Sequence, residues 1–193
     1  MKVIGICGYR GSGKDTIASV LVREFGFIQI SFAEVLKKVI SVLFGWSYKK
    51  LQGLTEEDRK WRTEVDSWWS EKLGFEVTPV FAMQNIGTDV FRNHFHNDIW
   101  ILSMERMMMN MCSEQGTDKF VVSDCRFPNE FEWIRKFEGS KIIRVLRPGT
   151  GNETHISENL WMNENVNVEV LNNGSIDDLV LKVKEYVADL CYD

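Results

Sequence analysis

One segment restricts the fold more than any other. A short apolar run, Val3–Cys7, leads into Gly8-Tyr9-Arg10-Gly11-Ser12-Gly13-Lys14-Asp15-Thr16, and helical spacing follows at Ile17, Leu21 and Phe25. The run reads as a buried parallel strand. The loop matches G-x-x-x-x-G-K, whose glycines let successive backbone N–H groups curl inward around phosphate oxygens. The helix starting near Lys14 adds its positive end at the same point, and the lysine supplies a mobile cation for β- and γ-phosphates. Strand, loop and helix in that order are the context this motif requires.

The rest of the chain alternates in the same way. Phe27–Ile30, Phe120–Ser123, Lys141–Leu146 and Val168–Leu171 read as further strands. Helices are expected over Phe32–Phe44, from Thr78-Pro79 to about Phe91, from Asn97 or Asp98 to about Glu114, over Pro128–Phe137, and from Ser175 to Leu190. Thr78 is a good N-cap with Pro79 at the first helical position. The methionines Met104, Met107, Met108 and Met111 lie at i, i+3, i+4, i+7, a core stripe. This alternation predicts an α/β fold: a five-stranded parallel sheet with helices on both faces. The 193 residues form a single P-loop domain, with residues 46–115 as a helical, substrate-binding insertion. Within it, Trp46–Thr78 holds four of the seven tryptophans and reads as one or two helices.

Ligands of such sheets sit beyond the carboxyl ends of the strands. Asp124 ends the third strand, where a P-loop protein places the carboxylate that holds Mg²⁺ or its waters. Arg126 follows two residues later and can face a phosphoryl group in transfer, whose spread charge is stabilised by fixed cations. Asp15 stands where the motif usually has Ser or Thr, so either Thr16 supplies the metal-binding hydroxyl or Asp15 holds the ion through water. Arg147 ends the fourth strand and is read as a phosphate contact. Arg144 reads as a solvated strand residue. His155 and Glu158 pair or brace the neighbouring loop. Asn172-Asn173-Gly174 is either an ordinary turn or a place where backbone touches adenine. His94 and His96 lack metal partners.

The net charge of −5 excludes a broad basic footprint for a nucleic-acid polymer, though not a few local cations for a nucleotide. Four cysteines without CxxC spacing fit reduced thiols. No apolar stretch reaches membrane-spanning length, so a cytoplasmic protein is expected, in host cytoplasm if the source is viral. Neither composition nor pattern decides whether it forms a homodimer.

Several motifs in fixed order carry a resemblance: residues 11–16, Met83-Gln84-Asn85-Ile86-Gly87-Thr88-Asp89 with Trp100 downstream, and Ser123-Asp124-Cys125-Arg126-Phe127-Pro128-Asn129-Glu130. Val145–Pro148, Thr154–Glu158 and Asn172–Ser175 continue it. On these the chain resembles the deoxynucleoside monophosphate kinases of tailed bacteriophages, nearly end to end. The resemblance implies a nucleoside monophosphate kinase fold, ATP as donor, Mg²⁺ as cofactor and a deoxynucleoside monophosphate as acceptor. It places Gly8, Arg10, Gly11, Ser12, Gly13, Lys14, Asp15, Thr16 and Thr154 at ATP. It places Lys37, Gly87, Thr88, Asp89, Arg92, Trp100, Asp124, Arg126 and Glu130 at the monophosphate. Lys14, Asp124, Arg126 and Arg147 would be catalytic, with Asp15, Thr16 and Asp124 at the metal. Many relatives carry arginine where Val80 stands here, and Arg92, Arg59 and Arg62 are candidates to replace it. The competing readings are another P-loop small-molecule kinase, such as one acting on dephospho-coenzyme A, and a nucleotide-dependent switch. Asp-Cys-Arg after the third strand, in place of a glutamine-bearing switch motif, favours transfer.

Overall fold

In the computed structural model, which describes residues 1–151 and 159–191, five strands form one all-parallel sheet. They are β1 (Lys2–Cys7), β2 (Ile28–Ile30), β3 (Lys119–Val122), β4 (Lys141–Leu146) and β5 (Val168–Leu171), in the order β2-β3-β1-β4-β5. β1 is central. It pairs with β3 from Lys2↔Lys119 and with β4 from Ile4↔Lys141. Its residues alternate between faces, as the two-residue period of a strand requires. Ile4 and Ile6 join the main core with Ile17, Leu21, Val121, Ile143 and Val145, closed by Leu179, Val183 and Val187. The helices on this face are α1 (Lys14–Phe25) and the last helix (Ile176–Cys191). On the other face Gly5 meets the helix Pro128–Ile134. A Cβ at Gly5 would stand 2.5 Å from Ile134 Cδ1, so that helix can lie close only because the position is bare. Helices therefore cover both faces, which is why the central β1 and its neighbour β3 are apolar on both sides after their first lysine.

The chain divides into two compact units, Met1–Ser31 with Glu105–Asp193, and Phe32–Met104. The first carries the sheet. The second begins at α2 (Ala33–Phe44), earlier than the insertion boundary expected at residue 46, and is helical wherever it has regular structure. Trp46–Thr78 forms three short helices: α3 (Tyr48–Gln52), α4 (Glu56–Trp61) and α5 (Ser67–Leu73). Each has its own cap. Ser47 accepts from the Lys50 N–H, Thr55 and Asp58 form a capping box, and Asp66 accepts from the Trp69 N–H. Gly53 and Gly74 terminate α3 and α5. The tryptophans bind this unit together: Trp46 stacks on Phe44 at 4.3 Å, and its indole N–H donates to Asp66 at 2.7 Å.

Thr78 caps α6 (Pro79–Gln84) as expected, its hydroxyl accepting from the Phe81 N–H at 3.1 Å. The helix then widens. Asn85–Phe95 is π-helical, where an ordinary α-helix was expected. Long π-helices are rare, and π-helical turns concentrate at functional segments. α7 (Ile99–Gln115) follows, and its Met104 and Met108 are buried, in keeping with a core stripe. The helix after β3 is α8 (Pro128–Ile134), and the last is α9 (Ile176–Cys191), capped by Ser175 with Asp178.

Candidate active site

The loop after β1 has the conformation its glycines permit. Gly8, Gly11 and Gly13 have φ of 142°, 77° and 109°. Gly8 has a second constraint: a Cβ there would lie 2.4 Å from the Val145 carbonyl oxygen. Gly13 is the N-cap residue of α1, so the first N–H groups of that helix open onto the loop. Lys14 folds back over it, its ammonium donating to the carbonyls of Gly8 and Tyr9, each at 2.7 Å. Ser12 is fully buried, its hydroxyl beside the position a Gly8 Cβ would take. Asp15 is exposed and Thr16 half-buried on the first turn of α1; Arg10 is exposed.

The ends of the neighbouring strands supply the other groups of this unit. Asp124 follows β3, half-buried, and accepts from the Ser31 hydroxyl at 2.6 Å. Ser31, which follows β2, is a partner for Asp124 that no motif in the sequence marks. Arg126 is half-buried two residues on. Its backbone N–H and that of Phe127 both donate to Glu130 Oε2, at 2.7 and 3.1 Å. Glu130 is almost completely buried, and this carboxylate fixes the turn that presents Arg126. The resemblance implies Glu130 at the monophosphate; the bonds seen here give it a structural task as well. Arg147 is exposed after β4 and donates to the Gly11 carbonyl at 3.1 Å, which brings it to the loop.

Arg144 departs from expectation. It is not solvated: its side chain is 13% exposed and donates to the carbonyls of Trp161 and Glu164 and to Glu169. A charged residue within a strand of a doubly covered sheet needs such partners. Trp161 and Glu164 lie in and beside a short 3₁₀ helix, Leu160–Asn163, and Glu169 lies on the neighbouring strand β5. Tyr9 of the loop docks on the same segment, edge-on to Trp161 at 4.8 Å with its hydroxyl on Asn159 and Met162. Beneath, burial pushes the Cys7 thiol up to about 12, with Arg144 drawing it partly back, and burial holds Cys125 well above its ordinary value. Both thiols are free and buried, in keeping with reduced cysteines. Thr154, His155 and Glu158 lie outside the described residues.

In the second unit, the π-helical segment carries Gly87, Thr88, Asp89 and Arg92. Gly87 packs so closely on Leu36 that a Cβ would come within 2.6 Å of it. Trp100 is buried, beside Phe91 at 5.2 Å, and its indole N–H donates to the Gly87 carbonyl at 2.9 Å. Its ring is therefore not an open face; it holds the turn that precedes Thr88 and Asp89. Asp89 is exposed and Thr88 half-buried. Arg92 is buried and donates to the Asn97 carbonyl at 3.1 Å. Arg59 and Arg62 donate to backbone carbonyls of residues 51–54 and so brace the turn between α3 and α4. Lys37 on α2 donates to Gln52 at 2.9 Å, and Gln52 in turn bonds Glu34 and Tyr48. Burial and the Glu34 carboxylate raise the Tyr48 hydroxyl to about 12. Burial alone would raise Glu34, but the bonds from Tyr48, Gln52 and Lys38 outweigh it and leave the carboxyl lowered.

Loop, lysine and parallel strand order together put the chain in the class of P-loop kinases. The dephospho-CoA kinase from Campylobacter jejuni shares the fold, with a TM-score of 0.53 at 15% identity over 99% of this chain and 98% of that one. The TT1252 protein of Thermus thermophilus does so with a TM-score of 0.52 at 18% identity over 97% of each. Within that class, residues 80–183, just over half of the chain, match the model of the deoxynucleotide monophosphate kinases. A protein of Acanthamoeba polyphaga mimivirus with the provisional description of deoxynucleotide monophosphate kinase is 32% identical, over 95% of this chain and 94% of its own. The deoxynucleotide monophosphate kinase of Enterobacteria phage T4 is 23% identical, over 95% and 98%. The chain belongs to the deoxynucleotide monophosphate kinase family.

Proposed function

We propose that this protein transfers the γ-phosphoryl group of ATP to a deoxynucleoside monophosphate, giving the diphosphate and ADP. An oxygen of the acceptor phosphate forms a bond to the γ-phosphorus, and the bond from that phosphorus to the β,γ-bridging oxygen breaks. The observation that carries this reading is the Gly8–Thr16 loop between β1 and α1 in a chain related along its length to deoxynucleotide monophosphate kinases. The N–H groups of the loop and of the first turn of α1 meet the triphosphate. Lys14 exchanges its two carbonyl partners for phosphate oxygens, so the ammonium is hydrogen-bonded before and after ATP arrives. Thr154 is assigned to ATP by the family resemblance.

The oxygens of Thr16, Asp15 and Asp124 suit Mg²⁺, a hard cation that keeps several waters and takes only one or two protein ligands beside phosphate. Among the described residues no cluster of three or more His, Cys, Asp or Glu forms a dedicated metal cage, in keeping with that mode. Bound there, the ion would neutralise charge on the β- and γ-phosphates. Ser31 orients the Asp124 carboxylate toward this task by its 2.6 Å bond. Arg126 and Arg147 stabilise the charge that spreads over the group in transfer. The family resemblance assigns the acceptor to Arg126 and Asp124, with Glu130 fixing the turn that presents Arg126, and to Lys37, Thr88, Asp89 and Arg92. Gly87 and Trp100 act there by shaping the π-helical turn.

No helix of the described residues is long and apolar enough to cross a membrane, and we place the reaction in the cytoplasm. The test is ATP with each of the four deoxynucleoside monophosphates, and with their ribose forms, followed for ADP release and diphosphate formation. Phosphorylation of at least one deoxynucleotide, with its ribose form poorer, is expected. No transfer to any of them, with transfer to dephospho-coenzyme A instead, would overturn the assignment.

A further inference from the structure

The turn after β5 is not an ordinary one. The Asn172 side-chain amide donates to the Ser12 carbonyl at 2.8 Å, across 160 residues of sequence. Its own backbone N–H donates to the Leu146 carbonyl at 2.7 Å, so the residue is fixed at the sheet before it reaches the loop. The approach is close: a Cβ on Gly13 would stand 2.7 Å from the Asn172 amide nitrogen and 3.1 Å from Leu179 Cδ2. Gly13 is thus required twice, for its φ of 109° and for the room it leaves Asn172.

We propose that Asn172 is a positioning residue of the donor site, holding the Ser12–Gly13 peptide so that the Gly13 N–H faces the triphosphate. A trans peptide is planar, with its C=O and N–H pointing in opposite directions. Fixing the Ser12 carbonyl on Asn172 therefore sets the direction of the Gly13 N–H, which belongs to the run of amides before Lys14. The neighbouring peptide is fixed at both ends, since Arg147 holds the Gly11 carbonyl and the Ser12 N–H donates to the Tyr9 carbonyl at 3.1 Å. Two side chains, one after β4 and one after β5, thereby keep the carbonyls of the cradle turned away, and no phosphate is needed to arrange them. The cradle is pre-organised, and the ordering cost on binding is reduced.

This inference rests on Gly8–Thr16 being the triphosphate site. Asn172→Leu keeps the branched heavy-atom skeleton and removes the donor; Asn172→Asp keeps the shape and turns an acceptor toward the Ser12 carbonyl. Calorimetric titration of each full-length variant with ATP, and with ADP, should show affinity about fivefold to tenfold weaker in Asn172→Leu, the effect of one hydrogen bond. Asn172→Asp should lose more. In steady state the KM for ATP should rise by the same factor, with the KM for the acceptor unchanged. A merely structural defect would instead reduce the active fraction and lower kcat with both KM values constant. If Asn172→Leu does not fold, Asn172→Asp carries the test alone. Wild-type affinity for ATP in a folded variant overturns the role of Asn172, whereas a wild-type protein that binds neither ATP nor ADP overturns the donor site itself.

Discussion

Removing the Glu130 carboxylate should loosen the turn that carries Arg126. Its Oε2 accepts two backbone N–H groups, from Arg126 at 2.7 Å and Phe127 at 3.1 Å, while the residue itself is 1% exposed. A hydrogen bond to a charged group contributes roughly 1.5–3 kcal/mol net. Both bonds end on one oxygen, and Arg126 and Phe127 are half-buried, so water can partly replace the lost partner. Glu130→Ala is therefore expected to cost about 2–4 kcal/mol rather than the sum. For a chain of this size that is roughly 5–15 °C in Tm. Glu130→Gln keeps an oxygen acceptor and loses the charge, so about 1 kcal/mol is expected. Urea unfolding followed by circular dichroism gives the midpoint, and saturating kinetics give kcat. In the alanine variant kcat should fall with stability, because Arg126 is no longer held. In the glutamine variant the acceptor KM should stay near wild type. An alanine variant with the wild-type urea midpoint would refute the structural reasoning. A glutamine variant of normal stability whose acceptor KM rises many-fold would show that Glu130 acts on the monophosphate directly.

Arg126→Lys should lower kcat by a hundred- to a thousandfold, about 3–4 kcal/mol, with smaller changes in either KM, because a point charge cannot copy the guanidinium fork; wild-type kinetics would make Arg126 a surface residue. Asp66 is held below its ordinary value of 3.8 by the Trp69 N–H first and the Trp46 indole second. Its lowered folded value means that its stabilisation is present above 3.8 and is lost as pH falls through the folded value, so Asp66→Ala should cost about 1–2 kcal/mol at neutral pH and flatten the acid limb of a tryptophan-fluorescence titration. Iodoacetamide at mild alkaline pH should label the half-exposed Cys112 and spare Cys7 and Cys125 until the protein is denatured; peptide mass mapping reads this out, and equal labelling of Cys7 would contradict its burial.

The strands were legible because each is a short apolar run with a sharp boundary. β4 and β5 have the ends that the runs Lys141–Leu146 and Val168–Leu171 prescribe. The cradle was legible for a related reason: the glycines and the lysine that define its motif all lie within Gly8–Lys14. The three helices of Trp46–Thr78 were less so, although Ser47, Thr55 and Asp66 are recognisable caps, because charge and aromatics obscure the apolar period over five to seven residues. The π-helical widening at Asn85 leaves no mark in an apolar pattern that a single α-helix also satisfies. Arg144 was read as solvated, and Asn172 as part of a turn or of an adenine contact, because their tasks depend on partners far along the chain, Trp161 and Glu164 for one and Ser12 for the other. No local spacing encodes those meetings; only the sheet order does.

The central place of β1 also sets a timetable for the nascent chain. Of the five strands β1 is synthesised first, yet its neighbours in the sheet are β3 and β4, so one pairing waits for Lys119 and the other for Lys141. At about 5–20 residues per second, the ribosome needs roughly 6–25 s to deliver the first of these partners. Throughout that interval Val3, Ile4 and Ile6, all fully interior in the finished fold, have no sheet to join. Phe32–Met104, by contrast, is one uninterrupted stretch and can begin to form as it emerges. The strand that bears the phosphate loop is therefore the one with the longest exposure to misassociation, and yield of active protein should depend on holdase chaperones, or on slower growth, more than its modest length would suggest.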